Sequence, residues 1–274
     1  MNGGATEVWR WEGNTDWHYF CSMSYAAAQA REAANPFMRY HAIRTCVYFA
    51  VATIEAHLNL WMRIKLESDG ISEAGVWKRL RTTKLDDKID KWPTEICGRR
   101  TEIASEIRAV LEQYKALRDE VTHPKRRDHS VLVDLEKADP DGLADAVARS
   151  IVTIAEGKGE PFQYWVLGWN YTGMNGDPSY PCQLNNGNAF IYSLKGMDLP
   201  ADPFEIDWDK RNMASISDYE RIKLQLDDYE FDIEPYWVGM PSRPRLTRRW
   251  WDREYLMGQY NEALQISGDD PKSL

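Results

Sequence analysis

The sequence predicts a mainly α-helical bundle, residues 1–157, followed by a smaller mixed, aromatic-rich region, residues 158–274. Three observations lead there. Apolar residues recur at three- and four-residue steps through most of the stretch Asp16 to Glu156, the spacing that lines one face of a helix. Helix punctuation divides that stretch at Pro36, Asp69-Gly70, Pro124 and Gly157 to Gly159, where proline and glycine end or redirect helices. Beyond Phe162 the texture changes to aromatic and β-branched runs between Asn-, Gly- and Pro-rich turns, which suits short strands.

Taken in order, Asp16 to Asn35 alternates aromatics and alanines at near-helical spacing, with Asp16 as N-cap and Pro36 as stop. The longest periodic segment is Pro36 to Ser68, where Ile43, Val47, Ala50, Val51, Ile54, Leu58 and Trp61 share a face. It is expected to be the central helix. Ser72 to Thr82 and Leu85 to Lys91 read as shorter helices, and Pro93 and Gly98 bound a connector. Thr101 then caps a helix through Ile103, Ile107, Val110, Leu111, Tyr114 and Leu117. That helix ends at His123-Pro124, because the residue before a proline is pushed out of the right-handed helical region. Lys125 to Asp139 reads as a polar connector, and Asp141 to Glu156 as a helix burying Leu143, Val147, Ile151 and Ile154. In the second region, Phe162 to Trp169 and Ala189 to Leu194 are expected as strands, and Ser217 to Asp228 and Thr247 to Gln265 as helices.

Composition narrows the function classes. Hydrophobic residues make up 43% and charged residues 28% of the 274, so the chain carries enough apolar side chains to fold as a globular protein. A formal charge of −9 opposes broad coating of nucleic acid, which depends on many cationic contacts, so any RNA binding must be local. Cys21, Cys46, Cys97 and Cys182 show no CxxC pair and no histidine at zinc-ligand spacing, so neither a structural metal nor a disulfide framework is expected. No basic n-region precedes an apolar run, and no uninterrupted apolar segment approaches the length of a membrane span. A cytoplasmic protein with reduced thiols and no membrane partner is expected. Gly-rich phosphate loops, Gly-x-Ser-x-Gly and His-Glu-x-x-His do not occur, which leaves nucleotide hydrolase, serine hydrolase and metalloprotease readings without support.

The segment with chemical content is Leu117-Arg118-Asp119-Glu120-Val121-Thr122-His123-Pro124. It resembles the signature of the HEPN superfamily: an Arg, a polar residue after it, and a His four to six residues on, near a helix end. The earlier helix carrying Ala52-Thr53-Ile54-Glu55-Ala56-His57-Leu58-Asn59 is similar to the one packed beside the motif helix in many bacterial HEPN proteins. The connector Lys84 to Gly98 is similar too. The resemblance covers about Asp16 to Glu156. It implies a HEPN-like helical bundle in which two protomers pair, so that two Arg and two His face one cleft and form a metal-independent endoribonuclease with no cofactor. It also implies 2',3'-cyclic phosphate and 5'-hydroxyl products and, from family habit, a toxin or antiviral defence role with a possible antitoxin or regulatory partner.

The residue types fit that chemistry independently. Cleavage of RNA by its own 2'-hydroxyl needs a proton acceptor, a proton donor and positive charge on the phosphorane-like transition state. Histidine exchanges protons near neutrality, and arginine offers a permanently charged planar fork to phosphate oxygens. His123 is thus the candidate acid/base and Arg118 the phosphate ligand. Asp119, at i and i+4 from His123, shares its helix face and is the candidate orienter of the imidazole. Glu55 and Asn59, also i and i+4, are candidate supporting residues, and Lys125, Arg126 and Arg127 a local RNA-binding patch.

Plainer readings stand beside these. Arg118 and Asp119 would also serve as a surface ion pair, with His123 as a favourable cation at a helix C-terminus, and a HEPN fold with this motif would also serve as a non-catalytic module binding a protein or nucleotide. His57 reads as a satisfied core histidine, His18 and His41 as core or surface residues, and His129 as part of a solvated loop. Arg243 to Trp251 interleaves cations with aromatics, which suits either single-stranded RNA or a packed helix start. The acidic cluster Asp227-Asp228 and Asp232-Glu234 reads as a solvated face.

Overall fold

The computed structural model describes residues 15–31, 33–123, 130–167 and 207–228. These are mainly helical, and no strand occurs among them. The elements are α1 (Thr15–Arg31), α2 (Pro36–Ser68), α3 (Glu73–Thr82), α4 (Leu85–Cys97), α5 (Ser105–Thr122), α6 (Ser130–Glu136), α7 (Pro140–Lys158), a 3-10 turn (Tyr164–Leu167), α8 (Trp208–Asn212) and α9 (Ile216–Asp228).

Helix α2 is the axis. Its 33 residues span about 50 Å at the usual rise, and α1, α3, α4, α5, α6 and α7 all pack against it. Asn35 starts it by accepting the Met38 N–H at 2.9 Å, and Pro36 occupies the first turn, where its missing N–H costs nothing. Ile43, Val47, Ala50, Val51, Ile54 and Leu58 are buried as the periodicity requires, while Trp61 is half-buried beneath Lys158. Gly70, at φ 76°, ends the helix in a left-handed turn that only glycine adopts at low cost. Helix α1 runs back along α2. Its first turn meets α2 about two thirds of the way along, through Asp16 and His57, and its last turn meets the start through Ala30 and Arg39.

Several boundaries differ from expectation, each for a local reason. Asp16 lies inside the first turn of α1, and its carboxylate turns to His57. Helix α4 continues past Lys91 and through Pro93 to Cys97. An internal proline costs a helix about 3 kcal/mol, which burial of Leu85, Ile89, Trp92 and Ile96 on the same face outweighs. Thr101 precedes α5; it exchanges hydrogen bonds with the Thr94 hydroxyl at 2.8 and 3.1 Å, and the helix begins at Ser105. The expected connector before Asp139 contains α6, whose Leu135 is fully buried with Ala138 and partly buried Val131 alongside. Those three residues at helical spacing sit in an otherwise polar stretch, which hid them. The strand expected over 162–169 is, through Leu167, a 3-10 turn with Tyr164, Trp165, Val166 and Leu167 all buried. The strand expected over 189–194, the helix over 247–265 and the Arg243 to Trp251 stretch lie outside the described residues.

The described part of the second region packs on the bundle. Trp165 meets Phe20 edge-on at 5.1 Å, Phe162 N–H donates to the Met213 carbonyl at 2.8 Å, and the Tyr219 hydroxyl donates to Asp145 of α7 at 2.9 Å. Tyr219, Ile222, Trp208 and Met213 belong to the same apolar core as α1, α2 and α7. No helix among the described residues is long and apolar enough to cross a membrane.

Candidate nucleic-acid site on helices α2 and α5

Burial of Ile107, Leu111, Tyr114 and Leu117 fixes the rotation of α5. The Tyr114 hydroxyl receives the Asp139 N–H at 2.6 Å and donates to the Asp139 carbonyl at 3.1 Å, tying α5 to the start of α7. With Leu117 inward, Arg118 lies at the edge of the packed face, its side chain 25% exposed. The helix ends at Thr122, and His123 follows with φ −133° and ψ 72°, exposed, its N–H donating to the Asp119 carbonyl at 2.9 Å. Five residues turn an ideal helix through about 140°, but His123 has left the helix, and it does not join Arg118 in the lining of either groove that Arg118 reaches.

Asp119 mediates the local electrostatics. Its carboxylate accepts Arg118 Nε at 2.8 Å and lies 3.5 Å from Lys115 Nζ, which is 3.3 Å from Asp86 of α4. Among the described residues its link to His123 therefore runs through the backbone, and the carboxylate serves the two cations. Lys125, Arg126 and Arg127, like His129, lie outside the described residues.

Arg118 reaches α2 at two adjoining grooves separated by Tyr48. The first, about 500 Å³, is lined by Arg118 together with Asp16, Tyr48, Glu55, Asn59 and Arg63. The motif arginine and both supporting α2 residues thus share one groove. The second, about 580 Å³, is lined by Arg118 with His41, Arg44, Thr45, Tyr48 and Thr122, above Val47, Phe49 and Val121. His123 is not among the described residues lining either.

Two buried polar arrangements support the first groove, and neither was foreseen. Lys88 of α4 is 2% exposed, yet its Nζ donates to Glu55 Oε1 at 2.8 Å and Asn59 Oδ1 at 2.9 Å and lies 5.2 Å from the centre of the Trp92 ring. Its sequence signal was available: Lys88 falls on the same helical face as Leu85, Ile89, Trp92 and Ile96, where a lysine needs an anionic partner. His57 is a buried core histidine as read, with Nδ1 2.8 Å from Asp16 Oδ2, and its buried Nε2 has no partner among the described residues. Burial pushes the Asp16 carboxyl up, but the hydrogen bond and charge of His57, with the Trp17 N–H, outweigh it and hold it below the ordinary range. A link spanning 41 residues leaves no local pattern.

His18 and His41 are exposed on α1 and α2. Among the described residues no group of His, Cys, Asp and Glu side chains is arranged to hold a metal ion. Cys21 and Cys46 are buried, and burial pushes the Cys46 thiol well up, which suppresses thiolate chemistry there. Compared with protein-family models, with curated proteins and with solved structures, the chain matches none.

Proposed function

We propose that this chain is a metal-independent endoribonuclease of HEPN type whose active site is composite, assembled when two protomers bring their α5 ends together. The observation that carries the reading is the position of Arg118, held at the edge of α5 in a groove with Glu55 and Asn59, while His123 stands exposed at the end of the same helix. Within one protomer Arg118 lines the groove and exposed His123 does not; pairing of two α5 ends is proposed to bring them together.

In this reading, one His123 accepts the proton of a ribose 2'-hydroxyl as its oxygen attacks the adjacent phosphorus. The bond from phosphorus to the 5'-oxygen breaks, and the second His123 delivers a proton to that leaving oxygen. The products are a 2',3'-cyclic phosphate and a 5'-hydroxyl. The Arg118 guanidinium neutralises the charge gathering on the non-bridging oxygens, a contribution strongest in the transition state. Asp119 holds Arg118 through Nε, which leaves the terminal N–H groups of the guanidinium for phosphate oxygens. Glu55 and Asn59, held by Lys88, shape the groove wall. Lys125, Arg126 and Arg127 are proposed to hold flanking phosphates. A cytoplasmic toxin or antiviral effector restrained by an antitoxin is the setting that family habit suggests.

The pairing of Arg118 with Asp119 favours a second reading, a non-catalytic HEPN-fold module that binds a protein or nucleotide. One assay separates them. Purified protein is incubated with total RNA and tRNA in excess chelator, alongside Arg118→Ala and His123→Ala. The ribonuclease reading expects cutting that survives chelator and that either substitution reduces at least a hundredfold. Cutting unchanged by both substitutions, or none by the wild-type protein, overturns it.

A further inference from the structure

The geometry points to the second groove between α2 and α5, lined by His41, Arg44, Thr45, Tyr48, Arg118 and Thr122, as a binding site for the phosphodiester backbone of single-stranded RNA, with Tyr48 as a stacking platform for one base. The inference takes its ligand class from the proposed ribonuclease reading, and His41, Arg44, Thr45 and Tyr48 of α2, outside the motif, join Arg118 and Thr122 in the site.

Charge comes first. The chain has 43 acidic against 34 basic residues, yet among the described residues lining this groove two are arginines, one is a histidine and none is a carboxylate. A cationic concavity on an acidic protein focuses its field on an incoming anion. The state of the cations is the second point. Arg44 is half-buried, its Cζ 5.4 Å from the centre of the Tyr40 ring, and its buried Nε has no hydrogen-bond partner among the described residues. Most half-buried guanidiniums of this bundle are paired: Arg63 with Glu67 and Glu73, and Arg149 with Asp145 and Glu220. Arg44 makes no such pair among the described residues, and leaving a desolvated cation without an anion is costly. Arg118 enters the same groove with only its Nε engaged by Asp119 among those residues. The Arg44 fork, without a carboxylate partner among the described residues, and the Arg118 fork, which Asp119 holds through Nε, suit phosphate oxygens.

Shape favours a nucleic-acid strand over a small ion. A groove of about 580 Å³ is much larger than one phosphate and within the range of organic ligand sites, about 300–1,000 Å³. Its rim carries the Tyr48 ring, 52% exposed and edge-on to Phe49 at 5.4 Å. An exposed aromatic beside cations is how single strands are held without sequence preference. Because Tyr48 and Arg118 also line the adjoining groove of Glu55 and Asn59, a strand bound here would pass the motif arginine.

The test uses the full chain and a fluorescent 2'-O-methyl oligonucleotide, which cannot undergo attack by its own 2'-oxygen, so binding is read without cleavage. Arg44→Glu and Thr45→Glu place a carboxylate in the groove, the second at an exposed position of α2, where it replaces a hydroxyl bonded to the His41 carbonyl of the same helix at 3.0 Å. Arg100→Glu, at a side chain 86% exposed in the α4–α5 loop, applies the Arg44→Glu charge change elsewhere. Anisotropy is expected to show both groove variants binding at least tenfold more weakly and Arg100→Glu within twofold of wild type. Tyr48→Ala is expected to weaken binding of the oligonucleotide but not of its abasic counterpart. The dependence of log K on log salt is expected to flatten by about 0.7 in Arg44→Ala, one phosphate contact's worth. Should Arg44→Glu fail to fold, Thr45→Glu and Tyr48→Ala decide. Wild-type protein that does not bind, or Thr45→Glu that binds like Arg100→Glu, overturns the inference. Binding lost in the groove variants, from a wild-type protein that never cuts RNA, upholds this site and removes the nuclease. Cutting with unchanged binding in the groove variants does the reverse.

Discussion

Replacing Lys88 with methionine removes a buried ammonium while keeping most of its side-chain volume, and the cost depends on which partner is left stranded. Lys88 is 2% exposed, whereas Glu55, whose carboxylate it meets at 2.8 Å, is 40% exposed. In Lys88→Met two charge-assisted hydrogen bonds disappear, each worth roughly 1.5–3 kcal/mol. The desolvation penalty of the ammonium, several kcal/mol, disappears with them, and Glu55 recovers water at its exposed edge. The net destabilisation is about 1–2 kcal/mol. Glu55→Ala does the opposite. It leaves the buried cation with only Asn59 Oδ1 at 2.9 Å and the Trp92 face, and removing one partner of a buried pair costs about 3–5 kcal/mol, reduced here by those survivors to about 2–4. Once the cation is gone, Glu55 supports nothing, so the double variant is expected to match Lys88→Met and to be more stable than Glu55→Ala alone. Urea unfolding followed by tryptophan fluorescence on the four proteins closes the cycle. Additive losses, or Lys88→Met costing more than Glu55→Ala, would refute the burial asymmetry on which the reasoning rests.

Other consequences are equally direct. Because the Asp16 carboxyl is held below its ordinary value of 3.8, its ionisation stabilises the fold above about pH 4, and that contribution is lost as pH falls through 3.8 and then through the lower folded value. Asp16→Asn should be less stable than wild type at pH 6, with the gap closing towards pH 3 in chemical unfolding at each pH. A gap that widens on acidification would contradict the sign. Gly157→Ala should lower stability by about 1–2 kcal/mol despite a helix-propensity gain of about 1, because the new Cβ would lie 2.6 Å from Thr101 Cγ2 and 2.7 Å from Cys97 Sγ; a raised melting temperature would show that Thr101 gives way freely.

Much of the bundle was legible because its signals are local. The span of α2 follows from an apolar period bounded by Asn35-Pro36 and Asp69-Gly70, and α7 from the spacing of Leu143, Val147, Ile151 and Ile154 between Pro140 and Gly159. Misjudged boundaries arose where tertiary burial overrode a local rule. Pro93 stays helical because Trp92 and Ile96 anchor both sides of it, and Leu135 draws a polar stretch into α6. An unbroken apolar run such as Tyr164 to Leu167 carries no period, so nothing local told a strand from a fully buried 3-10 turn.

The site divides in the same way. The Arg118 to His123 motif is readable from spacing, and sharing of a groove by Arg118, Glu55 and Asn59 needed only α2 beside α5. The carboxylate of Asp119 has nearer cations than His123, because Lys115 lies one turn earlier on its own helix and Arg118 adjoins it. Of the pairings that cross the fold, Lys88 with Glu55 shows in the sequence only as a lysine on the apolar face of α4, which does not name its partner, and Asp16 with His57 has no sequence-local trace. The cationic groove of His41, Arg44 and Arg118 needed coordinates as well, since its two arginines come from different helices and lie 74 positions apart in the sequence.

A composite site makes catalysis depend on the concentration of the protein itself. Specific activity on RNA, measured in chelator over a dilution series while light scattering follows the mass, is expected to be constant where the chain is dimeric and to fall in proportion to the dimer fraction as it dissociates. Activity per chain that persists unchanged into the monomeric range, or a chain that cuts no RNA at any concentration, would contradict the composite site.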